Sequence, residues 1–257
     1  PLWQWLFGTG FLMSENIRRL KDLIMLVKGG GEMATGVAHR LTRSGFRVCL
    51  TEIPQPLAVR RAVSFCEAVF EGQMEVEGLL AQRVVGEEEI FRAWKEGKVP
   101  VVVDPECTIR QVLNPDVLVD AILAKKNTGT RITDAPLVIG LGPGFRADGD
   151  VHWVVETNRG HRLGKVIEEG EAEPDTGIPG EISGYTWERV LKAPVGGKFK
   201  GKKRIGDRVE RGEVVAEVEG VALDSKIAGV LRGILRDGLR VQEQMKVGDI
   251  DPRGIRE

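Results

Sequence analysis

Residues 23–50 read LIMLVKGGGEMATGVAHRLTRSGFRVCL. The stretch opens with five apolar residues, LIMLV, the continuous character of a strand buried on both faces. Three glycines follow, Gly29, Gly30 and Gly31. Met33, Val37 and Leu41 then recur at every fourth place, with Ala34 and Ala38 beside them, which predicts a helix with one apolar face. Gly45 stands where helices stop, residues 48–50 restart a strand, and Pro54 and Pro56 end it. A strand, a glycine loop, a helix and a second strand make one turn of an α/β fold.

The pattern continues outward. Residues 57–66 and 87–96 read as helices, the latter closed by Gly97, and residues 99–103, 117–119 and 137–141 read as strands. The expectation is a Rossmann-like parallel sheet over residues 23–150, covered on both faces, behind a leader of residues 1–22 whose apolar stretch, residues 1–13, is too short to span a bilayer. Residues 151–157 (VHWVVET) are strand-like, and residues 159–184, rich in Gly, Glu and Pro, read as linker within a connecting segment 151–191.

The tail, residues 192–251, carries an internal repeat. Gly197, Gly201, Gly206 and Val209 match Gly229, Gly233, Gly238 and Val241, and Phe199, Val215 and Val218 match Leu231, Val247 and Ile250, all at a spacing of 32 residues. Short β segments with turn glycines, duplicated once, predict a small all-β domain of two interlocked halves, a biotinyl/lipoyl-like barrel-sandwich. A biotin or lipoyl carrier needs a lysine at the tip between the halves. The tip reads EGVAL from Glu219 to Leu223, and Lys226 lies beyond it, so neither biotin nor lipoate is expected.

The glycine loop carries the main chemical expectation. Gly29 permits a tight turn, Gly31 lets a pyrophosphate approach the backbone, and Ala34 permits close helix packing, while the helix start offers free N–H groups to phosphate. Gly30, Glu32 and Met33 complete the loop. Glu52 ends the second strand, where a ribose-binding carboxylate belongs. The plainer reading is the same fold with an empty loop. Arg60 and Arg61 follow on an early turn, either within reach of a further phosphate or solvated. Lys125, Lys126 and Asn127 follow a strand and are expected to hold phosphate or carboxylate, or else to form a capped turn. His152, Glu156 and His161 lack any rigid metal-ligand spacing, so no metal is expected. Cys107, in a loop without an evident base, is a minor candidate for carrying sulfur.

Composition narrows the partners. The chain has 37 Lys and Arg against 38 Asp and Glu, a formal net charge of −1, which gives no basic field for nucleic acid. Its three cysteines, Cys49, Cys66 and Cys107, form no CxxC, which fits a reducing compartment and a cytoplasmic protein. No membrane partner is expected, and a homo-oligomer is left open.

Several segments together resemble a known family: VKGGGEMATGVAHRLTRSGFRV, TEIPQPLAVRR with FCEAVFEG, VDAILAKKNTGT, GLGPGF, DVHWVVETNRGHRLGKVI, and APVGGKF with GDIDPRG. This co-linear set is similar to the accessory proteins of the selenium-dependent molybdenum hydroxylase system, the YqeB-like family, and more distantly to XdhC/CoxF-type maturation factors. The family's loop often has Asp where this chain has Glu32. The resemblance implies a maturation role, with a molybdenum hydroxylase as client and a small-molecule nucleotide as partner. The cofactor candidates are a molybdopterin dinucleotide or NAD(P). The alternatives are an NAD(P)-dependent oxidoreductase using Gly29, Gly31 and Glu52, or a non-catalytic scaffold docking through the β tail. No catalytic residue is assigned.

Overall fold

The computed structural model describes residues 20–254. The expected leader therefore lies, for residues 1–19, outside the described residues. Strand β1 (Ile24–Lys28) sits in the middle of the main sheet and is buried over its last four residues. It leads through the glycines into helix α1 (Glu32–Arg43). The buried face of α1 is Ala34, Thr35 and Ala38, so small side chains bring the helix close to the sheet. Val37 and Leu41 pack at the margin of that core, and Met33 is left partly exposed. Gly45, at φ +92°, donates its N–H to Thr42 O and turns the chain into β2 (Arg47–Glu52).

The helix expected over residues 57–66 does not form. Two 3₁₀ turns, Arg61–Val63 and Phe65–Glu67, lead instead into the one-turn helix α2 (Ala68–Glu71). The reason is tertiary. Val59 O accepts from Ile234 N at 2.8 Å, and Arg61 Nε donates to Ile234 O at 2.9 Å, so this backbone serves the tail rather than a helix.

Next comes a hairpin, β3 (Gln73–Val76) and β4 (Leu79–Val84). Its two turn residues, Glu77 and Gly78, have φ of 48° and 72°, the double positive φ of a type I′ turn. Helix α3 (Gly86–Lys95), β5 (Val99–Val103), the short α4 (Arg110–Leu113), β6 (Val117–Asp120) and β7 (Leu137–Leu141) follow. Two short strands, β8 (Arg146–Ala147) and β11 (Gly170–Glu171), form a separate pair. Between them β9 (Trp153–Val155) and β10 (Val166–Ile167) extend the main sheet beyond residue 150.

The sheet has nine strands in the order β10-β9-β7-β6-β1-β2-β5-β4-β3. Its seven inner strands are parallel, whereas β3 and β10 close its edges antiparallel. Cores lie on both faces, one under α1 and the other under α3 and the loops around Phe145.

The tail continues with β12 (Val190–Lys192), β13 (Gly197–Gly201), β14 (Arg208–Val209), β15 (Val214–Val218), β16 (Val221–Asp224), β17 (Gly229–Ile234), β18 (Arg240–Val241) and β19 (Lys246–Asp251). They form two four-stranded antiparallel sheets, β12-β19-β17-β14 and β16-β15-β13-β18. The repeat places β13, β14 and β15 in the first half against β17, β18 and β19 in the second. β14 pairs with β17 and β18 with β13, so each half lends a strand to the other's sheet. Phe199, Leu231 and Ile250 are fully buried in the shared core, against which Val59 of the body also packs.

These observations correct the expected fold class, a Rossmann-like parallel sheet followed by a biotinyl/lipoyl-like barrel-sandwich domain. The main sheet is mixed, because a type I′ hairpin and the return from β9 to β10 add antiparallel edges. Only the β1–β2 and β4–β5 connections carry a helix of more than one turn. The tail is two separate antiparallel sheets, one edged by β12 from the expected linker, and it is fastened to the body through β17.

Candidate ligand groove at the carboxyl edge

The loops leaving β1, β2 and β6 meet at one edge of the sheet. The three glycines there have different jobs. A Cβ on Gly29 would lie 3.3 Å from Ala121 O, and one on Gly30 would lie 3.1 Å from the Cys66 backbone N. Those two glycines let neighbouring segments approach. A Cβ on Gly31 would meet nothing within 4 Å, so its open side faces a groove of about 510 Å³. Gly31 is the N-cap of α1, and no side chain caps that end. The first-turn N–H groups of a helix lack intrahelical partners, which leaves a positive dipole end here.

Around this opening the groove is apolar at Met33, Leu57 and Leu123 and cationic at Arg60 and Lys246. Arg60 pairs with Glu32 at 2.9 Å, and Lys246 lies 3.8 Å from Asp249. Lys246 comes from the tail, a contribution with no local signal in the sequence. Glu52 also lines the groove, but its carboxylate is turned onto the loop. Oε2 accepts from Gly30 N and Oε1 from Ile53 N, both at 2.8 Å. Burial raises its pKa, and those two N–H bonds oppose the rise. In this arrangement Glu52 braces the glycine loop.

The ten expected site residues are thus divided. Gly29, Gly31, Glu32, Met33 and Glu52 line the groove. Gly30 is spent on packing, and Ala34 is fully buried. Asn127 builds its own loop: its Oδ1 accepts from Gly129 N and Thr130 N, and its Nδ2 donates to Thr130 O. Lys126 presents its backbone to Gly144, and Lys125 lines a different cavity.

On the opposite face of the same edge lies a buried network that was not anticipated. Lys28 Nζ donates to Thr130 Oγ1 at 2.6 Å and stands 3.3 Å from Asp120, whose Oδ2 accepts from Thr130 Oγ1 at 2.5 Å. The available signal was positional: Lys28 and Asp120 are the last residues of adjacent parallel strands. Cys107 sits nearby, buried and at φ +54°, and burial pushes its thiol up to about 11, so thiolate is disfavoured.

His152, Glu156 and His161 do not converge. His152 Nδ1 accepts from Val138 N at 3.0 Å, and His161 is exposed. Burial pushes Glu156 upward, yet the N–H groups of Glu173, Asn158 and Thr157 outweigh it and hold the carboxyl below its usual range. Among the described residues no group of three or more His, Cys, Asp or Glu could hold a metal ion. The tip of the tail repeat is the tight turn Glu219–Gly220, and Lys226 lies exposed beyond β16.

No family model matches the chain. It is 45% identical over 247 residues to the uncharacterized protein YqeB of Escherichia coli (strain K12), covering 96% of this chain and 46% of that protein. The chain therefore spans about half the length of the curated relative it matches. Among solved structures it is similar to an aspartoacylase family protein from Mesorhizobium loti (12% identity, TM-score 0.29, 89% of this chain and 85% of the other). It is also similar to a succinylglutamate desuccinylase/aspartoacylase from Rhodobacter sphaeroides (15% identity, TM-score 0.28, again 89% and 85%). Likeness at these TM-scores carries no argument about activity.

The expected function is corrected on this point: none of these proteins supports it. The solved structures matched are of aspartoacylase and desuccinylase description, not of molybdenum-hydroxylase maturation or nicotinamide chemistry, and the YqeB relative has no assigned activity. The accessory, selenium and XdhC-like expectations and the oxidoreductase alternative are not carried forward.

Proposed function

We propose that this chain binds an organic phosphate in the groove at the carboxyl ends of β1, β2 and β6, with a nucleoside phosphate as the first ligand class to test. The observation that carries the reading is Gly31. It caps a twelve-residue helix whose N-terminus has no side-chain cap, and its open side faces the groove. Phosphate oxygens accept from helix-start N–H groups, and Arg60 and Lys246 add positive charge. The apolar lining suits a planar or aliphatic body. The strands β2 and β6 lie on opposite sides of β1, so the loops leaving them diverge and open a crevice.

The test is Gly31→Val. Gly31 has φ −67° and ψ −177°, a conformation valine adopts, and there is empty space for its side chain. Calorimetry with adenosine mono- and diphosphate is expected to show binding to wild type and a loss of tenfold or more in the variant, with unfolding unchanged. Equal affinities would refute the assignment.

Kinship with the YqeB-like proteins is part of this reading, supported by the 45% identity. No helix among the described residues is long and apolar enough to cross a membrane. Three free, buried cysteines support placement in the cytoplasm.

A further inference from the structure

A second cavity, of about 240 Å³, opens where the loops leave β6, β7 and β9. It adjoins the groove. Leu123 lines the groove and Lys125 lines the cavity, so a single residue, Ala124, lies between them, a span of about 7 Å at full extension. Both residues are left-handed, at φ 57° and 63°. The loop of residues 142–144 holds this wall in place. A Cβ on Gly144 would lie 2.6 Å from Lys126 Cα, and one on Gly142 would lie 2.5 Å from Thr157 Oγ1.

Two guanidinium groups converge on the far side, at Gly180. Arg189 Nε donates to Gly180 O at 3.0 Å, and a Cβ on Gly180 would lie 3.5 Å from Arg159 Nη1. The Arg189 side chain is only 8% exposed, and its carboxylate partner, Asp249, is 3.7 Å away, beyond good hydrogen-bond reach. Arg159 has no carboxylate partner among the described residues. The acids that line the cavity have other partners: Glu173 accepts from Asn158 Nδ2 and lies 3.9 Å from Arg162, and Asp175 lies 4.0 Å from Lys125. Burial and the neighbouring Arg159 and Arg232 press the Arg189 pKa below its usual value, and Asp249 and Asp251 oppose this only in part. A buried cation among like charges is stabilised by an anion between them.

We propose that Lys125, Arg159 and Arg189 form a phosphate subsite, and that the ligand is an elongated molecule with one phosphate at Gly31 and a second in this cavity. The second half of that statement rests on the organic-phosphate reading above. Arginine pairs suit the planar, forked recognition of phosphate oxygens.

The experiment compares hexyl phosphate with 1,6-hexanediol bisphosphate by calorimetry on wild type, Gly31→Val and the double variant Lys125→Ala with Arg159→Ala. Lys125 and Arg159 are exposed, so the double variant keeps the fold, which urea unfolding checks. Wild type is expected to bind the bisphosphate at least tenfold tighter than the one-headed probe. The double variant is expected to lose that advantage while holding hexyl phosphate unchanged. A bisphosphate no tighter than hexyl phosphate, or a double variant that keeps the advantage, would overturn the second subsite and leave the Gly31 reading standing. Gly31→Val without effect on either probe, while the double variant weakens the bisphosphate, would overturn the Gly31 reading and keep the Lys125–Arg159–Arg189 site. Binding of neither probe to wild type would overturn both.

Discussion

Gly233→Ala probes the joint between the body and the tail. Gly233 lies on β17, and a Cβ there would sit 2.9 Å from Val59 O, 3.1 Å from Val59 C and 2.8 Å from Asp249 Oδ1. Two of those three atoms are backbone and cannot swing aside, so the 57–61 segment must move off the tail. Overpacking of this kind costs about 1–3 kcal/mol. Moving the segment also breaks Ile234 N to Val59 O and Arg61 Nε to Ile234 O. Each such bond contributes about 1 kcal/mol net. The expected destabilisation is therefore about 3–5 kcal/mol. Urea unfolding measures it, and hydrogen exchange at the Ile234 amide reports whether the joint opens below the global transition. Gly31→Ala is the control: its Cβ meets nothing, and the expected change is within about 1 kcal/mol. An Ile234 amide as protected in Gly233→Ala as in wild type, with stability changed by under about 0.5 kcal/mol, would refute the packing argument.

Two other predictions concern buried charge. Lys28→Met leaves the Asp120 carboxylate buried without its cation and is expected to destabilise by about 3–5 kcal/mol, whereas adding Asp120→Leu recovers most of the loss. Chemical unfolding of the single and double variants checks this, and a double variant no better than the single one would contradict it. Asp251 is held down to about 2, from 3.8, chiefly by its hydrogen bonds with Arg253. A depressed carboxyl contributes stability above its unfolded pKa and loses it as pH falls through the folded value. The stability gap between wild type and Asp251→Asn is therefore expected at pH 5 and should close between about pH 4 and 2. A gap independent of pH would count against the Arg253 interaction.

Much of the local order was legible. The β1–glycine–α1–β2 unit is visible in residues 23–50 because burial on both faces gives a continuous apolar run, and helical packing gives a fourfold recurrence. The boundary at Gly45 was legible because a left-handed residue there needs no Cβ. The β3–β4 hairpin was missed although Glu77–Gly78 carries a turn signal; short, half-exposed strands leave a weak alternation (QMEV, LLAQRV). The false helix over residues 57–66 arose because its composition suits a helix while the Val59 carbonyl and the Arg61 side chain are claimed by Ile234 of β17. The site was half legible. Gly29 and Gly31 announce a loop at a helix start, but the side chain of Glu52 turns inward to brace that loop, which spacing alone does not reveal.

The sequence by itself determined the central strands β1, β2, β5, β6 and β7, where the first helix begins and ends, and that the tail is duplicated at a spacing of 32 residues (Gly197 to Gly229). These are local properties, set by φ preferences and by burial at periods of two and 3.6. Only the tertiary structure decided that the main sheet is mixed, that the two tail halves exchange β14 and β18, and that Ile234 binds Val59 across the joint. It also decided that Lys246 reaches the groove and that Arg159 and Arg189 meet at Gly180. Those contacts join residues far apart in the chain. Each depends on which of many compatible pairings buries the most surface and leaves the fewest polar groups unpaired, and no single stretch of sequence carries that comparison.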